Sequence, residues 1–254
     1  MNIQLSVVII SYNEEKNIAR CLQSVQGIAD EILLVDSFSK DLTRDIATSM
    51  GARVIEHVFE GHIQQKNYAA QQAKYDYVLS LDADEALSDE LKKSIQQVKA
   101  NWQYDAYQMN RCTNYCGKWI KHSGWYPDRK LRLWNRTKGE WGGVNPHDKW
   151  ELHKKSVNFK WIKGDILHYS YYSIEGHWQQ AEKFSNIAAQ AMFDQGKRIS
   201  FAGLYLKAAF KFIRNYFLKA GFLDGYYGWV VCKITAWETF EKYRKLRDMN
   251  RRLA

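Results

Sequence analysis

Short apolar runs alternate with helix-length segments over the first third of the chain. Residues 5–10 (LSVVII) and 31–36 (EILLVD) read as strands, and the intervening EEKNIARCLQSVQG places Ile18, Leu22 and Val25 on one side at helical spacing. The alternation continues with DLTRDIATSMG, a helix expected to stop at Gly51, then RVIEHV as a strand, IQQKNYAAQQAK as a helix and YVLSL as a fourth strand. Strands covered on both faces lose the polar alternation of a half-wet strand, and these runs lack it. The pattern predicts an α/β fold with an open, mainly parallel sheet.

Farther along, Ser88 precedes Asp89 and Glu90, a serine cap with acids at the positive end of a helix expected to reach Ala100. YDAYQMN and KLRLW read as strands, set in or beside an aromatic, glycine-bearing stretch from Trp125 to Glu151 that is expected to be mostly loop. Beyond Ser173 the pattern turns helical to the end, with an interruption at GFLDGYYG. The 254 residues include two prolines, Pro127 and Pro146, and no flexible linker composition. The expected organisation is an α/β domain over residues 1–172 and a helical appendage over residues 173–254.

Ligands of open α/β sheets sit beyond the carboxyl ends of the strands, and three strand ends here are chemically loaded: SYNEE, Asp36 and DADE. SYNEE contains no glycine, so neither the dinucleotide fingerprint nor the phosphate loop is present, which disfavours hydride transfer and P-loop hydrolysis. Asn13 can cap the following helix, and Tyr12 offers a flat ring to a base or sugar. Asp36 can accept hydrogen bonds from a ribose hydroxyl or base, or be an ordinary loop aspartate. Lys66 can reach a phosphate or remain an exposed helix lysine. Asp82 and Asp84 emerge from the fourth strand and point the same way if the chain stays extended, a pair suited to Mg²⁺ or Mn²⁺ carrying substrate diphosphate. Glu85 has no assignment beyond opening the next turn. In DRKLRLW, Lys130 and Arg132 share the wet face of a strand, and the tryptophans of this region either stack on sugars or pack the fold.

Charge adds a second theme. The net charge is +9; residues 175–254 hold 14 Lys/Arg against 7 Asp/Glu, whereas residues 1–174 hold 23 against 21. A basic end implies an anionic neighbour: a membrane leaflet, nucleic acid or a phosphorylated substrate. From Phe201 to Leu218, Lys207, Lys211 and Arg214 recur at helical spacing, while Leu204, Ala208, Phe212 and Phe217 form an apolar side, for a membrane surface or for packing. These cations break the run before the roughly 18 apolar residues that a spanning helix needs. The four cysteines, Cys21, Cys112, Cys116 and Cys232, suggest neither a disulfide framework nor a zinc site and read as free thiols of a reducing compartment. A cytoplasmic protein, peripheral at the inner face of the membrane, is expected.

SVVIISYNEEKNI, EILLVDSFSKDLT, QKNYAAQQA and YVLSLDADE, in this order and spacing, resemble the nucleotide-sugar half of family 2 glycosyltransferases. DRKLRLWNR, VNPHDK, LHYSYYS and GFLDGYYG are similar to the branch of lipopolysaccharide-core β-1,4-glucosyltransferases. The resemblance implies a GT-A fold (Rossmann-like), an inverting mechanism, a nucleotide-diphospho-sugar donor such as a UDP-sugar, and Mn²⁺ or Mg²⁺. It places Tyr12, Asn13, Glu14, Asp36, Lys66 and Asp82 at the nucleotide sugar, Asp84 with Asp82 at the metal, and Asp148 as the base. Asp128 is the next candidate for that base. His147 and His168 could assist the metal or leaving group, but a lone histidine is more often structural, and neither is assigned. Where the family commonly carries glycine and threonine after the second-strand aspartate, this chain has Phe38 and Lys40. The implied acceptor is a glycan or glycolipid, lipopolysaccharide core first, with a protein or lipid carrier as the alternative. A sugar nucleotidyltransferase and, more distantly, a basic nucleic-acid-binding protein are the rival readings; no nucleic-acid motif supports the last.

Overall fold

A computed structural model describes residues 3–144, 147–153 and 158–252, with the side chains of Val144, His147 and Asp148 outside that description. The described chain forms two compact units. One runs up to Arg111 and resumes over Asp128–Tyr169; the other comprises Cys112–Pro127 and the chain from Ser170 onward.

In the first unit, strands β1 (Leu5–Ser11), β2 (Glu31–Asp36), β3 (Arg53–Glu56) and β4 (Tyr77–Asp82) alternate with helices α1 (Ile18–Val25), α2 (Thr43–Ser49) and α3 (His62–Gln72). They pair in parallel in the order β3, β2, β1, β4. Leu5, Val7 and Ile9 pack into one apolar cluster with Ile18 and Leu22, while Val8, Leu33 and Val35 pack into another with Ala69 and Val78. Successive residues of a strand face opposite sides, so this sheet is covered on both, as the unbroken apolar runs predict. Register brings the strand ends level: Ser11 lies opposite Asp36, and Ile10 opposite Asp82.

The sheet continues beyond the parallel strands. β8 (Asp128–Asn135) pairs antiparallel with β4, and β6 (Ala106–Tyr115) pairs antiparallel with β8. β11 (Phe159–Tyr171) and β5 (Glu85–Leu87), antiparallel to each other, complete the order. Glu85 therefore opens a short strand. Ser88 caps α4 (Asp89–Ala100) as expected, its Oγ accepting from Leu91 N at 3.2 Å.

Two expectations are corrected. The first helix begins only at Ile18, after a turn, and Asn13 does not cap it: Asn13 Oδ1 accepts from Lys40 N at 2.8 Å instead. The aromatic stretch expected as loop is largely strand, with β9 (Gly139–Val144) and β10 (His147–Leu152) forming an antiparallel hairpin. Its tryptophans supply the reason. Trp134, Trp141 and Trp150 are buried together, Trp150 stacked on Trp134 at 5.1 Å and Trp141 edge-on to it at 5.2 Å, so packing overrides the glycines of the segment.

In the second unit, β7 (Lys118–Ile120) pairs with the end of β6, and α5 (Ile174–Asp194) and α6 (Phe201–Ile213) each lie against α7 (Gly225–Arg252). Tyr115, Ile120, Ala181, Val230, Val231 and Ile234 form its core. GFLDGYYG is the expected interruption, a 3-10 turn over Gly221–Asp224 that enters α7. Buried Asp224 accepts from the backbone of Lys121 at 3.2 Å and His122 at 2.9 Å, and a Cβ at Gly228 would collide with the Gly221 backbone. The motif is thus a close-packed joint. Among the described residues no helix is long and apolar enough to cross a membrane, and the four cysteines are free.

Candidate active site

The turn after β1 and the loop after β2 are laced together. Asn13 N donates to Ser39 Oγ, and Glu14 N to Thr43 Oγ1, each at 2.8 Å; Ser39 Oγ in turn donates to Asp36 Oδ1 at 2.5 Å. Asp36 is fully buried, and it also accepts from Ser11 Oγ at 2.8 Å and Ser39 N at 2.7 Å. Its carboxylate organises the loop from beneath. Asn13 and Phe38 both have left-handed backbones, φ +54° and +60°. A left-handed φ is where glycine costs least, yet at Phe38 a bulky side chain holds that backbone shape. Tyr12 is 55% exposed at the mouth of this turn.

Burial pushes the Glu14 carboxyl up from its ordinary value; Asn17 Nδ2, donating to it at 2.7 Å, opposes the shift, and the charges of Asp84, Asp41 and Asp82 reinforce it. The acids that follow three strands thus lie close enough to act on one another. A divalent cation relieves such a load.

Asp82 and Asp84 do not point the same way. β4 ends at Asp82 and the chain turns at Ala83 and Asp84, so extended geometry does not persist. Asp82 meets Lys66 Nζ at 3.1 Å and Arg132 Nη2 at 3.0 Å. Burial raises the Asp82 carboxyl, but Lys66 and then Arg132 outweigh it and hold the group far below the usual carboxylate range. Asp84 instead lies 3.2 Å from His168 Nε2 on β11, and its carbonyl accepts from Tyr169 N at 2.9 Å.

Lys66 is 3% exposed and Arg132 4%, so neither is the solvent-facing cation that an isolated helix lysine or a wet strand face suggests. Both belong to a ladder of alternating charge: Lys66, Asp82, Arg132, Glu85, Arg111, Asp128. Arg132 Nη2 donates to Glu85 Oε1 at 3.1 Å, Arg111 Nη1 to the same oxygen at 3.4 Å, and Arg111 Nη2 lies 2.8 Å from Asp128. Glu85 also accepts from Asp82 N at 3.0 Å. Asp128, the second candidate for the base, is thus occupied by Arg111 and, at 3.0 Å, by Lys130. For Asp148 the backbone pairs with Gly143 in the hairpin, and its side chain lies outside the described residues.

Asn67, next to Lys66, faces the hairpin: its amide donates to Trp141 O at 2.9 Å and accepts from Trp141 N at 2.8 Å. The sequence reading missed Glu85, Arg111 and the pairing of His168. Arg111 carries no local signal, and the other two are read only when β11 is placed beside β5, in the register that sets His168 opposite Glu85.

Residues 6–156 match the family described as Glycosyl transferase family 2. The chain is 32% identical to an uncharacterized glycosyltransferase of Rickettsia typhi over 257 aligned positions, covering 97% of this chain and 88% of that one. It is 25% identical to the lipopolysaccharide core biosynthesis glycosyltransferase LpsC of Rhizobium meliloti, over 94% of this chain and 93% of that one. Among solved structures, the mannosyltransferase PcManGT of Pyrobaculum calidifontis, in complex with GDP-Man and Mn²⁺, aligns with TM-score 0.55 and 15% identity, over 96% of this chain and 85% of that one, which speaks to the fold alone. A parallel α/β half, acids gathered at its strand ends and this family match agree: the chain is a glycosyltransferase of GT-A fold and belongs to glycosyl transferase family 2.

Proposed function

We propose that the protein is a metal-dependent, inverting glycosyltransferase that moves a hexose from a UDP-sugar to a hydroxyl of lipopolysaccharide core or another cell-envelope glycan. The observation that carries the metal and donor reading is the parting of the two aspartates: Asp82 is taken by Lys66 and Arg132, and Asp84 faces His168. A carboxylate suits Mn²⁺ or Mg²⁺ when substrate phosphates supply further oxygens, and a neighbouring imidazole favours the softer Mn²⁺; no ready-made cluster of three such side chains exists among the described residues, and none is required. Asp84 and His168 would hold the cation, which when bound neutralises charge on the departing diphosphate.

The chain's own residues divide the remaining work. Tyr12 presents its ring to the base, Asn13 and Glu14 line the nucleoside side, and Asp36 keeps their loop in shape. Lys66 and Asp82, charge-paired, meet the ribose and diphosphate. Asp148 takes the proton of the acceptor hydroxyl as that oxygen attacks the anomeric carbon, and one displacement inverts its configuration. The similarity to LpsC supports a lipopolysaccharide-core acceptor.

A screen of nucleotide sugars with Mn²⁺ or Mg²⁺ tests this reading. Asp84→Ala is expected to lose metal-dependent donor binding, and Asp148→Asn to keep donor binding but lose transfer. Release of free UDP supports transfer. Release of pyrophosphate would mark a nucleotidyltransferase, and full activity in Asp84→Ala would refute the metal assignment.

We also propose that the second unit rests on an anionic leaflet. α6 and the π-helical turn that follows it, Arg214–Leu218, are apolar on two sides: Leu204 is buried, whereas Leu206, Phe210, Ile213, Phe217 and Leu218 are between 49% and 71% exposed, with Lys207, Lys211 and Arg214 interleaved. So large an exposed apolar set marks an interaction surface, and cations near an anionic leaflet add about 1 kcal/mol each. Co-sedimentation with anionic but not neutral vesicles, lost in Leu206→Ser/Phe210→Ser, supports this; equal binding to both vesicles opposes it.

A further inference from the structure

GFLDGYYG and the tryptophan after it expose more apolar surface than a joint needs. Gly221, Asp224 and Gly228 are buried, whereas Phe222 is 48% exposed, Leu223 60%, Tyr226 65% and Trp229 40%. This exposure is built in. Both oxygens of Asp224 are engaged, Oδ1 by His122 Nδ1 at 2.9 Å and Lys121 N at 3.2 Å, and Oδ2 by His122 N at 2.9 Å, so the short turn is held with Phe222 and Leu223 outward. On α7, Tyr226 and Trp229 stack at 6.3 Å, and Lys233 Nζ stands 5.0 Å over the Trp229 ring.

Two further observations bear on what covers this surface. It is continuous with the exposed apolar set of α6, because the Tyr216 ring meets Phe217 at 5.2 Å and Phe222 at 6.2 Å. The charge beside it also has one sign. Residues 112–127 and 195–237 hold nine Lys/Arg and a single acid, Asp224, which is buried and already bonded; the unit's other acids lie on α5 and on α7 from Glu238 onward. Exposed Lys118 reaches the turn, its Nζ 3.6 Å from where a Cβ on Gly225 would stand, and exposed Lys219 lies just before it. Rings flanked by cations suit the boundary of an anionic leaflet, where aromatic side chains sit at headgroup level and lysines meet phosphates. An apolar protein surface would answer the rings and leave the cations unmatched.

Resting on the leaflet reading of the second unit, we propose that the GFLDGYYG turn is itself an insertion element. Phe222 and Leu223 enter the acyl boundary, Tyr226 and Trp229 lie at headgroup level, and Lys118 and Lys219 meet the phosphates of anionic phospholipids. Docking then has two limbs, α6 and the turn, joined through Tyr216. A single amphipathic helix on a leaflet can roll about its own axis; two limbs that enter together fix the orientation of the unit that carries them. The motif thus acquires a task beyond closing the joint, which its two buried glycines and Asp224 perform from the inside while its large side chains face out.

The test is titration of the full chain with vesicles of phosphatidylcholine and phosphatidylglycerol, part of the phosphatidylcholine brominated on its acyl chains to quench nearby tryptophan. Phe222→Ser/Leu223→Ser is expected to weaken vesicle binding at least tenfold while leaving the unfolding midpoint unchanged, since both side chains are exposed. Lys118→Gln/Lys219→Gln is expected to weaken binding to these vesicles and to leave the weaker binding to pure phosphatidylcholine as it is. Bromolipid quenching should be smaller in Trp229→Phe than in wild type. Unchanged binding in Phe222→Ser/Leu223→Ser, or quenching no smaller in Trp229→Phe, overturns the proposal; if Leu206→Ser/Phe210→Ser still abolishes binding, α6 alone docks and the leaflet reading stands. Failure of wild type to bind the mixed vesicles would instead sink the leaflet reading, and the insertion element with it.

Discussion

Arg132 Nη2 donates to Glu85 Oε1 at 3.1 Å, with Glu85 1% and Arg132 4% exposed. A buried pair is weak evidence of net stabilisation, but removing one member leaves an uncompensated charge, which costs about 3–5 kcal/mol. Glu85→Ala should therefore lose about that much stability in urea unfolding, and it strands the Asp82 amide as well. Converting Glu85 and Arg132 together to leucine should cost less than the sum of the single changes; strict additivity would show the two groups to be uncoupled.

His168 touches Asp84 at 3.2 Å, and the sequence alone left it without a task. His168→Ala should weaken Mn²⁺-dependent UDP binding at least tenfold while leaving metal-free UDP binding and the unfolding midpoint nearly unchanged. A midpoint drop with intact metal dependence would make the histidine structural.

Asn67 holds both backbone groups of Trp141. Asn67→Ala leaves these groups unpaired near the buried tryptophans, at a cost of about 1–3 kcal/mol per unsatisfied group. Hydrogen exchange should quicken first at Trp141 and its hairpin partners, Trp150 among them. Uniform acceleration over the whole unit would argue against a local clamp.

His177 Nδ1 lies 2.9 Å from Tyr115 Oη in the core of the second unit, and burial pushes its imidazole down from 6.5 to about 4. The folded protein keeps this ring neutral where the unfolded chain protonates it. Its stabilisation is complete above pH 6.5 and is lost as pH falls from 6.5 towards 4, by about 3 kcal/mol at 1.4 kcal/mol per unit. Unfolding free energies of wild type and His177→Gln from urea titrations should converge by that amount over this window. A constant gap would mean that His177 is not the titrating group.

The parallel half was legible because its signals are local. Val7, Val8 and Ile9 declare a buried strand by composition, and Ile18, Leu22 and Val25 declare a helix by spacing. Ser88 announced its cap three residues ahead of the amide it binds. The hairpin was not legible, because Trp134, Trp141 and Trp150 stabilise it through mutual stacking across strands, which no local window records. Lys66 looked like a surface residue because α3 carries polar residues on most sides; only the placement of β8 and the hairpin buries it.

By itself the sequence determined which chemistry gathers at the strand ends, since each acid follows an apolar strand in an α/β alternation and parallel pairing must bring those ends level. Tertiary structure alone decided how the acids are divided. Asp82, Asp84 and Glu85 are near neighbours along the chain, yet one is claimed by cations from α3 and β8, one faces an imidazole on β11, and one is buried between two arginines. Their partners lie between 16 and 84 residues away, and the charge state of a carboxylate is set by what surrounds it in space, which the antiparallel half of the sheet supplies.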